Sequence, residues 1–147
     1  MQVKEILNQK GRDIYSVEPG DSVYDAIAKM ADHNIGALLV MENGQLNGIL
    51  SERDYRNKVI LKGRTSKNTK VSEIMTNEVV CVNSGDTINL CMQLMTEKKI
   101  RHLPVMDENT VVGVISIGDV VKTVIANQKS EIDSLRNYIS SGGGYPA

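Results

Sequence analysis

The chain has no tryptophan and no phenylalanine, and its five tyrosines are scattered. That argues against an aromatic stacking platform for single-stranded nucleic acid. It carries no basic block, and its formal net charge is −1. Bulk electrostatic attraction to nucleic acid or to an anionic membrane is therefore not expected. Its two cysteines, Cys81 and Cys91, form neither a C-x-x-C pair nor a Cys/His cluster. Neither a zinc site nor a disulfide framework is indicated, and free thiols fit a reducing compartment, the cytoplasm. No apolar run approaches the roughly 20 residues that span a bilayer. The opening M-Q-V-K-E-I-L-N-Q-K-G-R is too polar for a secretory signal. What remains is an ordinary globular composition, 41% hydrophobic and 24% charged over 147 residues. That is enough for one compact domain or two small interdependent ones.

What is present is a repeat. Shifted by 65 residues, the segment 13–60 falls on 78–125 without a gap. Gly20-Asp21 lands on Gly85-Asp86, Met30 on Met95, Val40-Met41 on Val105-Met106 and Gly48 on Gly113. Ser51 lands on Ser116, and Asp54 on Asp119. A register held this long means one structural unit used twice. Two such units are expected to pack about a pseudo-twofold axis, with two related clefts between them. Each is marginal in size alone, so a shared core is expected.

The elements follow the same order twice. V-K-E-I-L at 3–7 reads as an amphipathic helix and recurs as V-S-E-I-M at 71–75. Residues 14–17 and 79–82 read as short strands. Turns at 19–22 and 84–87 supply helix N-caps, with Asp21 and Asp86 read as capping residues. Helices follow, with Val23, Ala26, Ile27 and Met30 at helical spacing, as are Ile88, Cys91, Met92 and Met95. Strand pairs are predicted at 36–41 with 46–50, and at 103–106 with 111–117. A closing helix begins near Ser51 and near Ser116. Residues 63–69 read as a polar linker. The second closing helix continues through Ile125, Ile132, Leu135 and Ile139, an apolar stripe that exceeds what one small unit needs. Gly142-Gly143-Gly144 is expected to end the order.

The strongest chemical signal is the doubled S-x-x-D, Ser51 with Asp54 and Ser116 with Asp119. As local structure it is a capping box. As a site, helix-terminal amides and a hydroxyl suit phosphate, and a carboxylate suits a ribose diol because it accepts from two neighbouring hydroxyls. Together they describe a nucleotide. The run Arg101-His102-Leu103-Pro104 adds cations and a proline that marks an edge position. His33 reads as a solvated residue at a helix end. No nucleophile–base–orienter set or metal cluster is visible, so an enzyme using His102 with either Asp is disfavoured.

These motifs, with R-H-L-P-V-M-D at 101–107 and G-I-L-S-E-R-D-Y at 48–55, closely resemble the cystathionine-β-synthase (CBS) domain family. The resemblance implies an α/β fold of the α+β type, with two pseudo-twofold-related motifs forming one Bateman module. It divides the chain into a first motif with an N-terminal helix (1–64), a linker and second motif (65–127), and a helical extension with a tail (128–147). It implies a non-catalytic sensor that needs no cofactor. AMP, ADP, ATP, NAD(H) or S-adenosylmethionine would bind in the clefts, and a disc-shaped homodimer would act on an effector protein. The alternative is an interaction scaffold with empty clefts. Carried over, Asp54 and Asp119 would hold ribose hydroxyls, and Ser51 and Ser116 ribose or phosphate. The first cleft would join Ser51, Arg53 and Asp54 to Arg101, His102, Leu103 and Pro104, with Val80 and Cys81 walling the base. The second would join Ser116, Ile117, Gly118 and Asp119 to Tyr15, Gly36, Ala37 and Leu38. The second has no cation matching Arg53, Arg101 or His102. Unequal clefts are therefore expected, with the first preferring phosphorylated ligands.

Overall fold

The computed structural model describes residues 1–140. The glycine run at 142–144, where the sequence predicts an end to order, lies outside the described residues. The first unit comprises α1 (Val3–Lys10), β1 (Ser16–Val17), α2 (Val23–His33), β2 (Ala37–Glu42), β3 (Gln45–Ser51) and α3 (Glu52–Lys58). The second comprises α4 (Val71–Ile74), α5 (Ile88–Lys98), β4 (His102–Asp107), β5 (Thr110–Ser116) and α6 (Ile117–Ser140). Small sheets packed with helices make this the expected α+β architecture. The caps of α2 and α5 are Ser22 and Thr87, whose hydroxyls accept from the amides of Asp25 and Leu90. Asp21 and Asp86, expected as caps, instead close the preceding turns by accepting from the amides of Glu18 and Asn83. The linker is partly ordered as a short 3-10 turn, Ser66–Asn68, followed by the buried Thr69.

The hairpins β2–β3 and β4–β5 are antiparallel, and each breaks register at the equivalent step, Val40/Met41 and Val105/Met106. β1 joins β2 in parallel. Its predicted counterpart at 79–82 is not a strand, and only Val82 bridges to Val105. The reason is one residue. In the first unit the Leu39 amide donates to the Tyr15 carbonyl at 3.2 Å. Its equivalent, Pro104, has no N–H to give, so the Val80 carbonyl lacks that donor.

The buried residues form two clusters rather than one shared core, and the short helices are exchanged between them. Val3, Ile6 and Leu7 of α1 pack with Val82, Cys91, Leu103 and Ile115 of the second unit. Val71 and Ile74 of α4 pack with Val17, Val23, Leu38 and Leu50 of the first. The division at 64/65 thus follows chain order, whereas in space α1 sits in the other unit's core. Backbone bonds match the exchange. The Val3 amide donates to the Asp86 carbonyl at 2.9 Å, and Val71 to Asp21 at 2.8 Å. These bonds satisfy helix-terminal amides that have no partner within their own helix.

The exchange explains why Gly48 and Gly113 recur. A methyl group at Gly48 would lie 2.8 Å from the Thr76 carbonyl, and one at Gly113 would lie 2.7 Å from Leu7 Cδ2. The first obstacle is backbone, held by paired bonds between Ile49 and Thr76 of 3.0 and 2.9 Å. The second is the end of a flexible side chain. Gly48→Ala should therefore lose about 1–3 kcal/mol of stability, and Gly113→Ala less. Urea denaturation of both variants measures the difference, and equal losses would contradict the assignment.

Candidate functional site

Of the two clefts that gather the predicted site residues, the larger, about 410 Å³, lies where the C-terminal end of α1, the β1–β2 edge and the β5–α6 junction meet. Tyr15, Gly36, Ala37, Leu38, Ser116 and Asp119 all line it, as the sequence reading placed them. The smaller, about 160 Å³, gathers Ser51, Arg53, Asp54, Val80, Arg101 and His102. Five expected residues line neither cleft. Leu103 and Pro104 are buried in β4, with Leu103 in the second core. Cys81 is half-buried, with its thiol against the Val79 carbonyl at 3.8 Å. Ile117 and Gly118 are exposed on the first turn of α6.

Both S-x-x-D motifs are capping boxes. The Ser51 amide donates to Asp54 Oδ2 at 3.0 Å, and the Ser116 amide to Asp119 Oδ2 at 2.8 Å. The Asp54 and Asp119 amides donate back to the serine hydroxyls at 3.3 and 3.2 Å. Beyond this the two carboxylates differ. Asp54 is only 9% exposed. Its Oδ1 pairs with Lys58 Nζ at 2.9 Å and accepts from the Thr76 hydroxyl at 3.4 Å. Asp119 faces the larger cleft, and its other partner comes from outside its own unit. Lys10 Nζ sits 2.7 Å from Oδ2 and also donates to the Val114 carbonyl at 2.9 Å. Burial works against the Asp119 charge, but the bond from Lys10, the Ser116 amide and the Lys10 charge outweigh it and hold the carboxyl below its usual range.

The expectation that the second cleft lacks a cation is therefore wrong: Lys10 supplies one. The reading missed it because Lys10 lies next to the loop where the two copies differ in length, outside the ungapped repeat. The available signal was a basic residue closing the short helix. The cleft expected to be poor in charge is also the larger of the pair. In the smaller cleft, Arg53 donates to the Lys99 carbonyl.

His102 lines both clefts. Its equivalent is Ala37, so the imidazole fills space that is open on the other side of the pseudo-twofold. A methyl group at Gly36 would be 3.4 Å from its Cε1. Burial lowers the His102 pKa, as does the charge of Lys10 and, less strongly, Arg101, against an opposing pull from Asp119. Tyr15 stacks on His33 with centroids 4.0 Å apart, so His33 braces a cleft wall as well as meeting solvent. Among the described residues no group of acidic, His or Cys side chains could hold a metal ion, and no helix is long and apolar enough to cross a membrane.

Comparison with known proteins matches the CBS domain family at residues 3–60 and 71–126. The chain is 45% identical to the CBS domain-containing protein CBSX3, mitochondrial, of Arabidopsis thaliana, over 95% of this chain and 72% of that protein. The solved structure of a protein with CBS domains from Burkholderia ambifaria MC40-6 superposes with a TM-score of 0.85 at 51% identity, covering 87% of this chain and 96% of that one. A CBS domain pair solved with 5′-methylthioadenosine and S-adenosyl-L-methionine shares the fold at a TM-score of 0.77 and 23% identity, over 86% of this chain and 98% of that one.

Proposed function

The chain belongs to the CBS domain family, and from that premise we propose a non-catalytic, cytoplasmic, homodimeric sensor that binds an adenine nucleotide, AMP, ADP, ATP or NAD(H), in the 410 Å³ cleft. The observation that carries this is the Lys10–Asp119 pair at 2.7 Å. A carboxylate for a diol and a cation for a phosphate stand together beside Tyr15 and the β2 edge. That another member of the fold takes two adenosine compounds supports the ligand class.

The pair also supplies a mechanism. Both Lys10 and the Ser116 amide contact Oδ2 of Asp119. A ribose diol uses both carboxylate oxygens, so the ammonium gives up its place and turns to the ligand's phosphate. Lys10 ends α1, and Asp119 stands in the first turn of α6. Nucleotide binding thus exchanges an internal clamp between two helices for contacts through the ligand. A ligand that favours the unclamped arrangement shifts the population toward it, and an effector protein reads the change.

Calorimetric titration with AMP and with adenosine tests this. Lys10→Met should weaken AMP binding about five- to tenfold, the scale of one charge-assisted contact. Adenosine binding should be unchanged or tighter, because the competitor for Asp119 is gone. Equal loss for both ligands would refute the phosphate role. If neither adenine nucleotides nor adenosine bind, and mass spectrometry of protein purified under native conditions finds no nucleotide, the interaction-scaffold reading replaces this one.

A further inference from the structure

Residues 125–140 of α6 are all exposed, and Asn127, Gln128 and Glu131 flank a groove shared with Met1, Thr87 and Met92 of the module. An exposed helix end draws little stability from burial, yet this one carries a regular apolar seam. Val121, Ile125, Ile132, Leu135 and Ile139 are each 45 to 60% exposed. With Gln128 they are spaced four, three, four, three and four residues apart. That is a 3.5-residue period, the coiled-coil seam. Val120 and Thr123 turn into the module's core, so the seam begins on the module's own surface at Val121 and runs out along the extension.

We propose that this seam pairs with the same seam of a second copy, as a parallel, in-register, two-stranded coiled coil. The inference rests on the homodimer reading above and deepens it by naming the surface and the orientation. Three observations commit the seam to a second copy. First, the core positions are Ile125, Ile132 and Ile139 at a, with Val121, Gln128 and Leu135 at d. β-Branched residues fill all three a positions and Leu135 stands at d, a combination that leans toward two parallel strands. Second, the flanking charges fit only one orientation. The e positions are Lys122, Lys129 and Arg136, and Glu131 is at g. A parallel pair sets each Glu131 against Arg136 of the other copy, five residues on. An antiparallel pair sets the basic e positions against each other, which is repulsive. Third, Gln128 is the polar member of the seam. In register, two Gln128 amides meet and hydrogen-bond each other. In any shifted or antiparallel arrangement each is buried against an aliphatic side chain, a penalty that fixes register. The same patch then serves both copies about a twofold axis along the coil.

The full chain tests this. Light scattering after size exclusion should give a dimer. Ile132→Asp, at an exposed position, should raise the dimer dissociation constant at least a hundredfold without lowering the thermal midpoint of the dilute monomer. Leu135→Cys in a Cys81→Ser background should cross-link under a glutathione redox buffer. Ser130→Cys, on the outer face, should not. A dimer indifferent to Ile132→Asp would overturn the coil and leave the homodimer reading standing. A trimer or tetramer would overturn the two-stranded pairing. A dimer weakened by Ile132→Asp in which Leu135→Cys stays reduced would overturn the parallel arrangement, since antiparallel helices hold those positions roughly 15 Å apart. A wild-type monomer at all concentrations would end both readings.

Discussion

Asp119→Ala is expected to weaken adenine-nucleotide binding about a hundredfold, roughly 2.7 kcal/mol, while the protein stays folded. Asp54→Ala, the same substitution at the equivalent position, is expected to do the opposite. The difference comes from what each carboxylate touches. Asp119 loses its bond from the Ser116 amide and its contact with Lys10. The first is a helix cap worth about 1 kcal/mol. The second frees a lysine whose side chain is 38% exposed and readily hydrated. The main loss is therefore two charge-assisted bonds to a diol, each worth about 1.5–3 kcal/mol before compensation. Asp54 is buried among the Ser51 amide, Lys58 and Thr76. Its removal leaves a cap unmade and the Thr76 hydroxyl without its acceptor, while Lys58, 44% exposed, keeps the Ile74 carbonyl; stability should fall by about 1–2 kcal/mol. Titration calorimetry and urea denaturation on both variants read the contrast. If Asp54→Ala abolished binding and Asp119→Ala did not, the smaller cleft would be the nucleotide site and the proposed role of Lys10 would fall.

Leu7→Ala should cost about 2–5 kcal/mol, the range for emptying a fully buried leucine site. Leu7 has no exposed surface and sits among the core residues of the second unit. Its methyl groups lie against Gly113, where even one added carbon would be 2.7 Å away. The helix belongs by chain order to the first unit, so the substitution tests the exchange directly. Loss of α1 packing removes one wall of the second core and also loosens Lys10 at the cleft. Nucleotide affinity should fall together with stability. Leu61→Ala, at a leucine 69% exposed, is the control and should stay within about 0.5 kcal/mol of wild type. Urea midpoints followed by circular dichroism decide the matter. A loss below about 1 kcal/mol for Leu7→Ala would mean that α1 is not integral to that core.

The comparison of Leu39 with Pro104 shows how closely sequence and structure track each other here. The repeat made β1 and residues 79–82 look equivalent, because propensity is local and both runs are β-branched. Whether the second run pairs depends on one amide across the sheet, and Pro104 removes it. The sequence reading noted that proline as an edge marker without drawing the consequence for the strand it faces. The S-x-x-D motifs were legible in the same partial way. Spacing alone established two capping boxes, which both copies form. Lys58, four residues after Asp54, proves to be its partner at a spacing the sequence held but the reading did not single out. Spacing could not reveal that Asp119 would be held by a residue 109 positions earlier in the chain.

The sequence by itself determined the duplication, the order of elements in each copy apart from the strand expected at 79–82, the two capped helix starts and the apolar seam of the last helix. Each of these is written in residues close together in the chain, or in a register that survives translation by a fixed step. The tertiary structure alone decided that the short helices are exchanged between cores, that the larger cleft is the one thought poor in charge, and that Lys10 occupies it. These outcomes depend on which backbone amides and which apolar faces meet across the pseudo-twofold. Such meetings carry no local sequence signature, and Lys10 ends its helix beside the place where the two copies stop matching.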